Sequence, residues 1–198
     1  MLIQINEELI NIIHHYVVTK LTADEGVIYS GTITGCIDKV FSELYGERKY
    51  EGIEDRAGAI LHSIVHGHSF TDGNKRTGLL TTYFFLLFNG KILKIPKDCA
   101  EFLEKMADAK NPNAPTETDA IEWIKKHTTS NIFSSFTNIM LTFYCKTQGW
   151  AYLERLTPII LSRDLPYVDQ EKLIDKKLLE TRKQRWKNRT CSEGSESS

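Results

Sequence analysis

"NKRTGLLTTYFFLLFNG" spans Asn74 to Gly90. Its apolar residues run almost without a break instead of recurring every third or fourth place. A helix here has no solvent face and belongs in the middle of a bundle. The run is too short to cross a bilayer and contains two threonines, so a membrane span is not expected. Asn89-Gly90 is a good C-terminal cap, because glycine adopts the left-handed conformation that ends many helices. The segments around this helix carry one apolar face each. "INEELINIIHHYVV" puts Ile5, Leu9, Ile12, Ile13, Tyr16 and Val17 on one side, and "GIEDRAGAILHSIVHGH" repeats Ile53, Ala57, Ile60, Leu61, Ile64 and Val65 before stopping around Gly67. "CIDKVFSELYG" reads as a helix closed by Gly46. "DCAEFLEKMADA" and "TDAIEWIKKH" read as two short amphipathic helices joined by the turn-rich "NPNAPTET". Only "DEGVIYSGTITG" changes character. Its glycines and β-formers suggest a short hairpin or extended flap. The expected fold is all-α: a helical bundle with one small β flap and a helical C-terminal extension.

The chain has 198 residues, 41% apolar and 26% charged, with a formal net charge of −1. That is ordinary for a soluble globular protein and implies no bulk electrostatic pull toward nucleic acid or membrane. Cys36, Cys99, Cys145 and Cys191 are far apart, with no C-x-x-C pair, which fits free thiols in a reducing compartment. The start, "MLIQINEELI", shows neither a basic region nor a long apolar one, so a cytoplasmic location is expected.

Immediately before and into the apolar helix stands "HSFTDGNKRTG", His68 to Gly78. A loop turns into a helix at Asp72-Gly73-Asn74. The first N–H groups of a helix lack an internal acceptor and carry the positive end of its dipole, which makes an anion site. Gly73 lets a ligand approach the backbone. Lys75 and Arg76 add charge, and arginine can hold a phosphate through two parallel hydrogen bonds. Asp72 makes sense there if magnesium accompanies the phosphates. His68 can act as a base near neutral pH. Each residue alone has an ordinary explanation: a turn pair, an N-cap, solvated cations, a loop histidine. Together they are the parts of a phosphoryl- or nucleotidyl-transfer site. Phe70 reads as a core anchor that pins the loop. A second reading joins His62, His66, His68 and Asp72 in a zinc site. It lacks a glutamate between the two helical histidines and leaves Gly73, Lys75 and Arg76 unexplained.

The quoted loop resembles the signature of the Fic/Doc family, His-x-Phe-x-(Asp/Glu)-Gly-Asn-(Gly/Lys)-Arg. All six fixed places are filled, by His68, Phe70, Asp72, Gly73, Asn74 and Arg76. The order of elements from about Ile5 to His127 resembles the Doc (death-on-curing) branch. The resemblance implies ATP and magnesium as cofactors. It implies that His68 takes the proton of a target hydroxyl and Asp72 holds Mg2+. Gly73, Asn74, Lys75 and Arg76 would bind the nucleotide phosphates. A flap at Tyr29, Ser30, Gly31, Thr32, Ile33 and Thr34, reaching Gly35, would align the target by adding a strand. Lys75 stands where the AMP-transferring branch has glycine, and Leu79 where it has a second arginine. Both resemble Doc, which implies phosphorylation of a protein hydroxyl, with elongation factor Tu as the implied target and arrest of translation as the outcome. AMP transfer is the alternative, and a non-enzymatic Fic-like binding module the second alternative.

Neither Glu25-Gly26 nor Glu193-Gly194 has Ser or Thr four places before the glutamate, so the inhibitory (Ser/Thr)-x-x-x-Glu-(Gly/Asn) pattern of many Fic proteins is not visible. The resemblance therefore implies a separate Phd-like antitoxin. The expected domains are residues 1–127 as the catalytic part, 128–189 as a helical extension and 190–198 as a disordered tail. The apolar section 131–161 either packs on the bundle or forms the surface of a homo-oligomer. Lys176 to Arg189 holds seven cations and one acid, which reads as a solvated helix end before it reads as a nucleic-acid contact.

Overall fold

The computed structural model describes residues 2–21 and 30–130. In chain order they form α1 (Glu7–Leu21), α2 (Ser30–Phe41), β1 (Glu43–Leu44), β2 (Glu47–Arg48), α3 (Ile53–His66), α4 (Asn74–Phe88), β3 (Lys91–Leu93), α5 (Cys99–Ala107), α6 (Glu117–His127) and β4 (Thr128–Ser130). The mainly helical architecture with a small hairpin is the expected one. Among the described residues, no helix is long and apolar enough to cross a membrane.

α4 is the central helix. Every residue in it is buried except Lys75 and Leu87. Its C-terminus is closed as the sequence indicates, with Asn89 as cap and Gly90 at φ 78°. Asn89 does more than cap. Its Oδ1 accepts from the Ile3 N–H (2.8 Å) and its Nδ2 donates to the Ile3 and Phe85 carbonyls, so it stitches the N-terminal segment to the end of α4. Asn6 caps α1 by accepting from the Leu9 N–H at 3.0 Å. The buried face of α1 comprises Leu9, Ile10, Ile13, His14, Tyr16, Val17 and Val18. Ile12, expected inside, is only half-buried.

α3 lies between α4 and α6 and also carries α2, while α1 packs on α4. The close crossings depend on glycine. A Cβ at Gly58 would stand 2.5 Å from the Ile121 Cα and 2.7 Å from its N, both backbone atoms of α6. We expect Gly58→Ala to lower the urea midpoint. Overpacking costs about 1–3 kcal/mol, and the gain in helix propensity returns at most about 1 kcal/mol. An unchanged or higher midpoint would show that α3 and α6 separate freely.

Two expectations about this region need correction. Residues 30–34, expected as an extended flap, form the first turns of helix α2, and Tyr29 lies outside the described residues. Ile33, Cys36 and Val40 recur at helical spacing and are all buried, which is what selects the helix. Gly31 and Gly35 have open space where a Cβ would stand, so they break nothing. The helix also ends at Phe41, well before Gly46. Gly46 instead turns a hairpin: β1 and β2 pair antiparallel around Tyr45 (φ 53°) and Gly46 (φ 82°). Two positive φ values in a two-residue loop make the turn type that matches strand twist. β3 and β4 form a second antiparallel pair, which carries the described residues past His127 to Ser130. The remainder of the expected extension and the tail lie outside the described residues.

Glu117, in the first turn of α6, accepts from Lys39 of α2, from Lys49 (3.3 Å) and from the Tyr50 hydroxyl (2.5 Å). Burial pushes its carboxyl up, but the bonds from Lys39 and Tyr50 outweigh this and hold it down at about 2, against an ordinary 4.5. A depressed folded-state pKa stabilises the fold at pH above the unfolded value, and that stability is lost as pH falls through the folded one. The wild type should therefore lose denaturant resistance between pH 4.5 and about 2. Glu117→Gln should flatten that segment of the profile, and an unchanged slope would remove Glu117 as its source.

Candidate active site

The loop between α3 and α4 is built by one side chain. Asn74, the first residue of α4, accepts from the Phe70 N–H through Oδ1 (2.9 Å) and donates from Nδ2 to the Phe70 carbonyl (2.7 Å). It closes residues 70–74 into a ring, as a paired strand residue would. Phe70 is 1% exposed and anchors the loop in the core, as expected from its residue type. Gly73 caps α4 in the left-handed region (φ 80°, ψ 3°), a conformation that would strain any residue with a Cβ. The first intrahelical bond runs from the Thr77 N–H to the Gly73 carbonyl at 2.8 Å. The N–H groups of the turn before it point out of the helix, where an anion would sit.

Asp72 is half-buried, and its Oδ1 accepts from the Gly73 N–H at 2.5 Å, which fixes the carboxylate beside the cradle. A single carboxylate there fits magnesium, which takes its other oxygens from phosphate and water. Arg76, two residues into α4, is 7% exposed. Lys75 is half-exposed and leans toward Glu104 of α5 at 4.0 Å, a surface pair worth little energetically. Leu79 is 1% exposed and faces the core.

His68 is exposed at the mouth of the loop, with φ 45°, an uncommon conformation for a non-glycine residue. Its Nε2 stands 3.1 Å from the Ala107 carbonyl at the end of α5. A carbonyl can only accept, so this bond assigns the proton to Nε2 and leaves the lone pair of the neutral ring on Nδ1. His66 Nδ1 meets the neighbouring Met106 carbonyl at 3.3 Å. The C-terminus of α5 thus orients both imidazoles. No residue type in α5 signals this role, because the bonds come from its backbone carbonyls.

The zinc alternative does not form. His62 and His66 stack on each other with centroids 5.1 Å apart, and His68 turns to Ala107. Among the described residues, no three His, Cys, Asp or Glu side chains converge to hold a metal. Burial, helped by the neighbouring His66, lowers the pKa of His62. His62 and His66 instead line an open cleft of about 330 Å³ between α2 and α3, together with Thr32, Cys36 and Lys39. Cys36 and Cys99 are free and buried; burial pushes their thiols up to about 11 and about 12.

Of the expected flap residues, Thr32 borders this cleft, Ile33 is 1% exposed, and Thr34 donates to Glu7 at 3.2 Å. Their backbone is engaged in α2 and offers no strand edge. The structure therefore brings together His68, Asp72, Gly73, Asn74, Lys75 and Arg76 on one loop and helix start, and places Ser30 to Thr34 in a helix, apart from the pairing role expected of them.

Comparison with known proteins agrees with this loop. Residues 2–86, which contain the whole signature, match the model of the Fic/DOC family. The chain is also similar to a protein named Toxin Doc from Mycolicibacterium smegmatis, with 29% identity over 89 residues. That match covers 45% of this chain and 65% of the relative, so the chain spans about two thirds of the relative's length.

Proposed function

We propose that this protein transfers a phosphate-bearing group of ATP to a hydroxyl of another protein, and that the group is the γ-phosphoryl, as in Doc-type phosphorylation. The observation that carries the reading is the Asn74–Phe70 clamp. It holds a base, a carboxylate and an open helix N-terminus on one short loop. In the proposed reaction His68 Nδ1 accepts the proton of the target hydroxyl. The hydroxyl oxygen bonds to the γ-phosphorus while the bond to the ADP oxygen breaks, and ADP leaves. Backbone N–H groups of Asn74, Lys75 and Arg76, with the Arg76 guanidinium, bind the phosphate oxygens and offset their charge, and Gly73, without a side chain, lets them approach. Asp72 would hold Mg2+, which screens the phosphates and steadies their geometry.

Two side chains favour γ-transfer over AMP transfer. Lys75 fills space that a glycine would leave open, and Leu79 points into the core where an arginine would be needed to read an end phosphate. The test is incubation of the full chain and a bacterial lysate with ATP labelled at the α or the γ position. Label carried from γ alone supports the proposal. Label from α alone replaces it with AMP transfer. Label from neither, by a folded protein, leaves a binding module.

The similarity to a toxin supports a further part of the proposal: a growth-arresting protein paired with a separate Phd-like antitoxin, with elongation factor Tu as the proposed target. Expression of the chain alone should slow a bacterial host, and normal growth at full expression would count against it. The target-docking role moves from α2 to the hairpin of β1 and β2, whose tip residue Tyr45 is 99% exposed. We expect Tyr45→Ala to raise KM for the protein substrate and leave KM for ATP unchanged; the reverse pattern would take the hairpin out of docking.

A further inference from the structure

α1 contributes no residue to the signature, yet one of its side chains grips the loop on both sides. His14 is 5% exposed. Its ring lies flat on that of Phe70, with centroids 3.7 Å apart and planes 12° from parallel. Its Nδ1 is 3.2 Å from the Thr77 Oγ1, in a buried hydrogen bond. Phe70 comes just before the carboxylate and cradle, and Thr77 comes just after them. Thr77 is also the residue whose N–H makes the first helical bond, to Gly73. One imidazole therefore fixes both ends of the segment that holds Asp72, Gly73, Asn74, Lys75 and Arg76.

A residue that only filled core volume would not need both features. An aliphatic side chain could cover Phe70, but it would leave the fully buried Thr77 hydroxyl without the imidazole nitrogen. A small polar side chain could reach Thr77, but it would leave a hole beside Phe70. The Asn74 clamp closes the loop within itself, whereas His14 fixes that closed loop to another helix. Transfer chemistry is sensitive to such fixing, since a shift of about 1 Å in a reacting group can cost roughly 10²-fold in rate.

We infer that His14 is a positioning residue of the active site: stacked on Phe70 and bonded to Thr77, it sets the geometry of the phosphate cradle without touching a substrate. The inference rests on the transfer reading for its consequence in rate, and on the loop geometry alone for its consequence in order.

The experiment uses the full chain as wild type, His14→Ala, His14→Phe, His14→Asn and Leu9→Val. The last is a mild core truncation on the same helix, and rates are taken per folded molecule. With ATP labelled at whichever position the wild type transfers, His14→Ala should lower kcat about tenfold or more, with a smaller change in KM for ATP. His14→Phe, which keeps the stack, and His14→Asn, which keeps a polar atom near Thr77, should each recover part of the loss. Leu9→Val should stay near wild type. A rate for His14→Ala equal to that of Leu9→Val would overturn the inference. If the wild type transfers no label, the transfer reading fails, and hydrogen exchange decides the positioning role separately. Faster exchange of the Phe70 and Thr77 amides in His14→Ala, without the same change in Leu9→Val, sustains it. Equal exchange in the two variants overturns it.

Discussion

Substituting His68 should reduce label transfer by about 10²–10⁴-fold, the range associated with loss of a positioned general base, and should leave the protein folded. The side chain is exposed and bonds to the Ala107 carbonyl, so little packing is lost with it. The choice of replacement matters, because His68 sits at φ 45°. Alanine in the left-handed region costs about 1–2 kcal/mol, while asparagine tolerates it better. His68→Asn is therefore the cleaner variant, and His68→Ala the more severe one. Both should retain the wild-type circular dichroism spectrum. Transfer that survives within about tenfold in both would mean that proton removal at this position contributes less than base catalysis normally does, and that the base lies elsewhere.

Phe70→Ala is expected to cost about 3–5 kcal/mol of stability, as for other buried aromatic truncations. Phe70 is 1% exposed, carries the flat contact with His14, and has both its backbone N–H and its carbonyl held by Asn74. Its ring is thus the loop's large apolar anchor in the core. A typical domain has about 5–15 kcal/mol in total, so this loss should appear as a large drop in the urea midpoint. It should also lower transfer in whatever fraction stays folded, because the cradle loses its anchor. A loss below about 1 kcal/mol would be too small for a buried aromatic side chain and would mean that the loop is held from outside the core.

Some elements were legible residue by residue. The nearly unbroken apolar run after Gly78 specified a central helix, and Asn89-Gly90 specified its end, because both signals are local. α3, α5 and α6 were read from a period that one buried face imposes. α2 was misread. Over Ser30 to Gly35 the β-branched residues and glycines carry a local preference for extended chain, and the helix is decided by burial of Ile33, Cys36 and Val40. That burial exists only once α3 is in place. The hairpin was missed for the complementary reason: a glycine after an apolar run signals a helix end as readily as a turn, and the positive φ of Tyr45 leaves no trace in residue type.

The candidate site divides in the same way. The sequence by itself determined the chemical inventory, His68, Asp72, Gly73, Asn74, Lys75 and Arg76, since a loop and the helix start that follows it keep neighbours in the chain as neighbours in space. Only the tertiary structure decided how that inventory is held. The Asn74 amide serves the Phe70 backbone as well as the helix start, the end of α5 selects the protonated nitrogen of His68, and His14 reaches the loop from another helix. These are contacts across long stretches of chain. They arise because a buried polar atom must find a partner, and which partner lies within reach depends on how the helices pack.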